Sequence, residues 1–286
     1  MIQWLSGLTL TGVVLVVLAS MMLAALAGYS IRQLELHRAR RRDEESDLSG
    51  SQESYLVGGM LGLLALLLAF SFSMALGRFE ERRHLVIQEA NAIGTAYLRT
   101  QLLDEPHRAQ LSALLVDYTD NRIALGTATP ATLNALVARN DQLLTDIWTA
   151  VVASRESALR HGMTTALLMT FNEVIDLDTE RKVSRTMRMP PEILMFLYSF
   201  LLLTATVLGY VLEERRGRIG ASVLFVLLSL YVSIIADLNR PTSGNIKESQ
   251  EPMRMLRQSL HSQPPATFDR FNASEEASAI ASEAGR

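Results

Sequence analysis

Few side chains in this sequence of 286 residues could carry covalent or metal chemistry. The chain has no cysteine, which excludes disulfides, thiolate metal sites and cysteine nucleophiles. No nucleophile–base pair and no glycine-rich phosphate loop is recognisable. The histidines do not show the spacing of metal ligands and stand at His37, His84, His107, His161 and His261. The residues therefore predict a protein that is not an enzyme and that needs no metal or cofactor.

The most informative spacing lies between Ser54 and Leu103, in a run of mainly small and apolar residues. The run predicts a long helix. If copies of that helix surround a shared axis, rings of Leu66 and Phe70 form an apolar constriction, which can gate ion flow by dewetting. Ordinary bundle core or contact with lipid explains the same spacing. The candidate pore-lining residues share one helical stripe and are Gly62, Leu66, Phe70 and Ser73.

A charged run, RFEERR, follows this stripe directly. Its side chains stand three and four residues apart, so they can pair with one another along a helix. The run is either a solvated segment near the lipid headgroups or a charged ring at a pore mouth. In the second case its functional residues are Arg78, Glu81 and Arg83.

Other residues of the same stretch are candidates for helix packing. Gly58 and Gly62 are four residues apart, and small residues at this spacing allow membrane helices to approach closely; the alternative is that they shape a pore. Farther along, Glu89, Asn91 and Arg99 alternate with alanine and glycine. This pattern predicts closely packed helices with buried polar groups, of which Glu89 and Arg99 need partners.

A group of turn-forming residues follows the last apolar run, in the segment DLNRPTSGN. Asp237, Pro241 and Gly244 predict a tight turn at the membrane interface. The turn either ends the helix or docks on the long second helix.

Four uncharged apolar runs position these residues. Each has about 18 residues or more, enough to cross a bilayer as a helix, and in lipid the backbone must be helical to pair its own amides. The first is interpreted as a retained anchor, since no Lys or Arg precedes it. We therefore predict an all-α integral membrane protein with four transmembrane helices and a helical extramembrane region between the second and third.

The predicted segments follow from these runs and from proline, glycine and capping signals. No proline occurs from Ser54 to Leu103, which predicts one rod of roughly 65 Å. Within the extramembrane region, the positions of proline, glycine and capping residues predict helices over 107–126, 130–161 and 164–189. The complete division is a first transmembrane helix (1–31), a charged connection (32–53), a second transmembrane helix (54–77), the helical extramembrane region (78–189), a transmembrane hairpin (190–236), an interfacial turn with a C-terminal segment (237–262) and a disordered tail (263–286).

Charge leaves the orientation in the membrane open. The arginines of the first and third connections place those connections in the cytoplasm by the positive-inside rule. Basic residues also flank the helical region and the C-terminal segment, which favours the opposite orientation. The net charge of −3 offers no electrostatic basis for binding nucleic acid.

Four segments resemble an uncharacterised bacterial membrane family labelled bestrophin-like: LLALLLAF, RFEERR, EANAIGTAYLR and DLNRPTSG. The resemblance covers about residues 1–257. A more remote similarity links the chain to the bestrophin ion channels. It rests on the spacing of Phe70, Arg78, Glu81 and Arg83, and on an imperfect echo of their Pro-Phe-Gly segment after the last span.

The resemblance implies a homopentameric ion channel of the bacterial inner membrane, with the second span lining the pore and the helical region in the cytoplasm. The apolar neck of that pore would be Gly62, Leu66 and Phe70. Gly62 departs from the bulky pattern of the family, which implies a shorter constriction. The acidic cluster that binds calcium in animal members is absent after Gly244, so calcium activation is not implied.

Two functions follow as hypotheses. The first is a homo-oligomeric ion channel or pore with the second helix along its axis. The alternative is a non-conducting membrane-anchored scaffold or sensor that binds a partner through its helical region. An intramembrane enzyme is disfavoured, because none of the four apolar runs contains an ionisable residue.

Overall fold

A computed structural model describes residues 9–42, 50–212, 214–240 and 244–269. This part of the chain contains no β-strand and forms nine α-helices. They are α1 (Leu10–Arg42), α2 (Gly50–Thr100), α3 (His107–Gly126), α4 (Pro130–Ala153), α5 (Arg155–Arg160), α6 (Thr164–Thr186), α7 (Pro191–Val211), α8 (Arg215–Leu238) and α9 (Glu251–Ser262). The all-α prediction is confirmed.

Helix α2 is one unbroken rod of 51 residues. At 1.5 Å per residue it is about 75 Å long, more than twice the hydrocarbon thickness of a bilayer. The predicted rod over 54–103 is therefore present up to Thr100, after which the backbone turns. The glycines of its apolar run do not break it, because in lipid no water competes for the backbone hydrogen bonds.

The prediction of a single helix over 130–161 is wrong, because the helix is interrupted at Ser154. The side chain of Ser154 is buried, and its Oγ donates to the carbonyl oxygen of Val151 at 2.8 Å. A serine hydroxyl that bonds back to the preceding turn competes with the regular helical pattern. The chain continues as the short helix α5.

Other boundaries also differ from the predicted ones, and the helix predicted over 164–189 ends at Thr186. Helix α1 runs on to Arg42, so the charged connection predicted for 32–53 is in large part helical. The first residues of the predicted disordered tail are structured, since Pro265–Thr267 forms a 3-10 turn and the carbonyl oxygen of Gln263 accepts a hydrogen bond from the Tyr97 hydroxyl at 2.8 Å. Residues 270–286 lie outside the described part of the chain.

The chain divides into two compact units, and the first comprises Met1–Glu80 and Arg185–Lys247. Across both units, the described residues contain four helical stretches that are long and apolar enough to cross a membrane. They are Leu10–Arg38, Tyr55–Thr100, Thr164–Val211 and Arg215–Leu238. The third contains α6 as well as α7, and its uncharged part is 193–211, within α7. The protein is therefore an integral membrane protein with four apolar helices.

The tightest crossing in this unit joins α1 to α7. A Cβ atom built on Gly28 would lie 1.9 Å from the carbonyl oxygen of Thr206, and one built on Gly209 would lie 2.0 Å from that of Ala25. The two backbones touch only because both residues are glycine. The sequence predicted close helix packing at Gly58 and Gly62, but a Cβ built on either residue would meet no atom within 4 Å. Within the chain, the close packing is at Gly28 and Gly209 instead.

A polar network joins the same helices farther along. The guanidinium Nη1 of Arg32 donates to the carbonyl oxygen of Tyr210 at 2.9 Å and lies 3.4 Å from a carboxylate oxygen of Glu53. The Tyr210 hydroxyl donates to Glu35 at 2.6 Å. The charges that follow the first apolar run therefore pair within the chain.

The second unit comprises Glu81–Ser184 and Glu248–Arg286, and it combines the end of α2 with α3, α4, α5, α6 and α9. Its hydrophobic core draws on each of the long helices. Fully or almost fully buried members are Ile93, Leu111, Leu115, Tyr118, Leu143, Ile147, Leu167, Phe171 and Met253. This unit has its own core, as a domain requires.

Asp104, after the end of α2, is held by residues of α5 and the turn after it. Its carboxylate accepts a hydrogen bond from the Ser157 hydroxyl at 2.8 Å, lies 3.0 Å from Nε2 of His161 and pairs with Arg160. Hydrogen bonds from His161, Arg160 and Ser157 hold the pKa of Asp104 well below its usual range. A carboxylate with a lowered folded-state pKa stabilises the fold above its unfolded-state pKa, and that contribution is lost as the pH falls.

We expect Asp104→Asn to lower the melting temperature of the detergent-solubilised protein slightly at pH 7, because the pairs are exposed and screened by water. The difference from the wild type should shrink as the pH is lowered through and below the ordinary aspartate range. Thermal unfolding followed by circular dichroism at several pH values measures this. A difference that stays constant between neutral and acidic pH would contradict the assignment.

Candidate functional site

The four residues predicted to line a pore lie on one face of α2, and that face points away from the protein's own core. Gly62 and Ser73 are exposed, and the side chains of Leu66 and Phe70 are 66% and 65% exposed. Large apolar side chains this exposed need another copy of the chain, an axis or lipid against them.

The opposite face of the same helix is buried. Leu64, Leu68, Ser71 and Ala75 are 1%, 6%, 3% and 0% exposed. At about 100° per residue, this set lies roughly opposite to the exposed stripe. The structure therefore excludes the interpretation that Leu66 and Phe70 are bundle core within a single chain. We call Gly62, Leu66, Phe70 and Ser73 the outward stripe.

The charged run after the outward stripe is divided between faces of the helix. Arg78 is half-buried, whereas Glu81 and Arg83 are exposed. Between them, Arg82 is 4% exposed, and its Nε lies 2.5 Å from a carboxylate oxygen of Glu248. The three predicted mouth residues thus do not share one environment.

Glu89, on the buried face of α2, is the centre of a cluster of charges. Its carboxylate is fully buried and accepts hydrogen bonds from the Tyr118 hydroxyl at 2.9 Å and from Nη2 of Arg122 at 3.0 Å. Arg181 of α6 pairs with the same carboxylate. Two arginines from two different helices therefore neutralise one buried carboxylate, as the low-dielectric interior requires.

The cluster continues from Arg122 to α4 and α6. Nη1 of Arg122 donates to a carboxylate oxygen of Asp178 at 2.9 Å, and Asn140 donates to the same oxygen at 3.0 Å. Lys182 lies 2.7 Å from Asp178 and 2.7 Å from Asp141, at the exposed edge. Three cations and three anions thus balance. We call this the Glu89 cluster, formed by Glu89, Tyr118, Arg122, Asn140, Asp141, Asp178, Arg181 and Lys182.

The protonation of the Glu89 cluster follows from burial and from its own charges. Burial, followed by the negative charge of Glu89, raises the pKa of Tyr118 well above the usual range, so the phenol keeps its proton and donates it. Burial alone would lower the pKa of Arg122, but Glu89, Tyr118 and Asp178 raise it on balance. Arg122 therefore stays charged.

The sequence indicated that Glu89 needs partners but did not identify them. Arg122, Asp178 and Arg181 stand among other charged residues on amphipathic helices, where solvent exposure is the usual expectation. The available signal was that Arg122 stands within one helical turn of Tyr118 and Leu125, two residues of the apolar face of α3. Asn91, which the sequence also predicted to be buried, is exposed. Arg99 is half-buried and its Nη1 donates to the carbonyl oxygen of Ala166 at 2.7 Å.

Asp237 organises the turn after α8. Its carboxylate accepts hydrogen bonds from the backbone N–H of Asn245 at 2.9 Å and of Ile246 at 2.9 Å. A Cβ on Gly244 would lie 2.9 Å from the carbonyl oxygen of Asp237, so this position needs glycine. Pro241, the third predicted residue of the turn, lies outside the described residues. Asn239 adds a link, because its Oδ1 accepts the backbone N–H of Met189 at 2.7 Å.

We expect Asp237→Ala to cost at least about 2 kcal/mol, because two backbone N–H groups lose their acceptor while Asp237 itself is only 3% exposed. The matched control is Asn245→Ala, which keeps the backbone N–H and removes only an exposed side chain. Thermal unfolding in detergent should separate the two variants. Equal melting temperatures would show that the carboxylate does not hold the turn.

Comparison with solved structures shows the fold. A variant of a bacterial bestrophin homologue from Klebsiella pneumoniae is similar with a TM-score of 0.62 and 18% sequence identity, over 85% of this chain and 97% of that chain. The structure of this homologue solved by Zn-SAD phasing gives a TM-score of 0.55 and 17% identity, over 84% of this chain and 96% of that chain. No curated protein sequence matches.

Comparison with protein families gives a match over most of the sequence. The Bestrophin-like domain matches residues 39–253, which contain α2 with its outward stripe, the Glu89 cluster and the turn at Asp237. The resemblance of the sequence segments is thereby confirmed, and the chain belongs to the bestrophin-like family.

Proposed function

We propose that this protein is a homo-oligomeric ion channel of the bacterial inner membrane, with α2 of each subunit along the central axis. The observation that carries the proposal is the outward stripe on a rod that crosses the membrane and continues beyond it. The family supports conduction rather than catalysis as the activity.

A single chain does not enclose an axis with this stripe, because the stripe faces away from the helices that bury the other side of α2. Copies arranged by rotation about an axis bring their stripes together, and closed cyclic symmetry is the usual arrangement of homo-oligomers. The resemblance to bestrophins favours five copies. The helical region then lies on the cytoplasmic side.

In such an assembly Leu66 and Phe70 form two apolar rings, separated by one helical turn. A narrow apolar passage resists filling with water, so it opposes ions without any charged barrier. Gly62 and Ser73 flank the rings with small side chains and leave the passage wider there. Glu81 and Arg83, both exposed, follow the passage in the aqueous continuation of α2.

The non-conducting scaffold or sensor remains a second candidate, and exposed apolar side chains of the extramembrane region favour it. Leu102, Val152 and Met169 are 60%, 57% and 66% exposed. A protein partner or a second copy would cover them.

Recording from purified protein in planar lipid bilayers tests the proposal, together with a cryo-EM map of the same preparation. We expect discrete single-channel currents and a symmetric assembly with α2 innermost. Silence from a symmetric oligomer, or a map in which α2 faces the lipid, would overturn conduction and leave the scaffold.

A further inference from the structure

We propose that one face of α2 in the second unit packs against the same face of α2 in a neighbouring copy of this chain. Its residues are exposed in the single chain and include Leu102 in the turn directly after the helix. They are Ile87, Gln88, Asn91, Thr95, Leu98 and Leu102, and we call them the uncharged face. The inference deepens the proposed homo-oligomer and rests on it, but it does not depend on conduction.

The uncharged face lacks the charges that a water-facing helix usually carries. Every exposed residue of α2 within 85–98 is uncharged, and the one charged residue in this range, Glu89, is fully buried. Over a similar length, α6 of the same unit exposes Glu173, Asp176 and Glu180. Depletion of charge is typical of the core of a protein interface.

The spacing of the uncharged face is that of a seam between helices. From Gln88 to Leu102 its members follow at alternating steps of three and four residues, the heptad pattern with which helices pack side by side. At about 100° per residue, the whole face spans an arc of about 100°. Leu98 and Leu102 are 53% and 60% exposed, and Arg99 between them donates to the carbonyl oxygen of Ala166. The face is therefore a continuous strip with an apolar end.

Charge favours a second copy of this chain as the occupant of the face. In a cyclic assembly whose helices surround an axis, equivalent residues face one another, so any charge on the face would meet its like and be repelled. An uncharged face meets its own copy without this penalty. The side-chain amides of Gln88 and Asn91 both donate and accept hydrogen bonds, so each can pair with its own equivalent. Lipid is a poor occupant, because it would leave these amides without partners.

The chain has no cysteine, so a single introduced cysteine reports contacts between copies. Leu98 and Leu159 of α5 are matched positions, since they are 53% and 54% exposed and both belong to the second unit. We treat the full-length oligomer, reconstituted in membranes, with a short bismaleimide. Leu98→Cys should form linked dimers at least about tenfold faster than Leu159→Cys, because thiols held together in one assembly react at a millimolar effective concentration. Denaturing gel electrophoresis measures the two rates.

The exposed threonines Thr95 and Thr149 allow the role of charge to be tested. Thr95→Glu places a carboxylate on the uncharged face of every copy, whereas Thr149→Glu places one on α4. We expect crosslinking of Leu98→Cys to fall at least about tenfold with Thr95→Glu, because like charges then meet at the contact. Thr149→Glu should leave the rate unchanged. An unchanged rate with Thr95→Glu would overturn the proposal.

Equal crosslinking of Leu98→Cys and Leu159→Cys would also overturn it. So would a Leu98→Cys thiol that is protected from a bulky maleimide but is not crosslinked, because another molecule then covers the face. If Leu98→Cys yields no oligomer, Asn91→Cys carries the test against the same control, since Asn91 is exposed on the same face. Crosslinked copies in a silent preparation would support the contact and reject only the channel, whereas currents without crosslinks would reject the contact and leave the channel.

Discussion

Replacing Phe70 with alanine is expected to raise the unitary conductance of the reconstituted protein several-fold. The Phe70 side chain is 65% exposed on the outward stripe, so its removal widens the proposed passage without opening a cavity in the subunit. The dewetting barrier of an apolar constriction falls as the constriction widens, which also predicts more frequent opening. Single-channel recording under identical ionic conditions measures both effects.

Phe72, two residues farther along α2, provides the matched control. Its ring is half-buried and its centroid lies 5.7 Å from that of Tyr231 on α8. Phe72→Ala should therefore lower the melting temperature and leave the unitary conductance unchanged. If the two variants have the same effect on conductance, the outward stripe does not line the path of the ions.

Gly28→Ala is expected to produce a large loss of stability, although it adds only one carbon atom. The new Cβ would lie 1.9 Å from the carbonyl oxygen of Thr206, and this oxygen belongs to backbone that cannot rotate away. Helices α1 and α7 must then separate along their contact, which costs about 2–3 kcal/mol or more. Thermal unfolding in detergent should show a decrease of several degrees, since 1 kcal/mol corresponds to about 2–4 °C at this size.

Gly220→Ala is the control for Gly28→Ala, because a Cβ on Gly220, also in an apolar helix, meets no atom within 4 Å. Its effect should stay within about 0.5 kcal/mol, and a small gain is expected since alanine is the better helix former. Similar losses in both variants would mean that the α1–α7 crossing is looser than the structure shows.

The helices of this fold could be predicted well because their signals are local. Apolar length defined the membrane helices, and Thr129 with Pro130 defined the start of α4, where the hydroxyl of Thr132 also accepts the backbone N–H of Thr129 at 3.1 Å. The break at Ser154 was missed, because a serine in a helix interior is common and only its burial selects the back-bonded conformation.

Pairings between distant residues could not be predicted, because periodicity does not encode them. The sequence contains 16 glycines, and nothing local distinguishes Gly28 and Gly209, which allow backbone contact, from Gly58, which does not. The stripe on α2 was visible as spacing, but its outward direction depends on which residues the other helices bury. Likewise Glu89 was recognisable as a group in need of partners, and only the fold brings Arg122 and Arg181 to it.

The hydrogen bond from the Met189 N–H to Asn239 has a consequence for biogenesis. The bond joins the segment just before α7 to the residue directly after α8, so the two ends of this helical hairpin are hydrogen-bonded to each other. These two helices also leave the ribosome one directly after the other, and after α1. We therefore expect them to enter the lipid together as one preassembled piece, with their polar ends already satisfied, and to join α1 only afterwards.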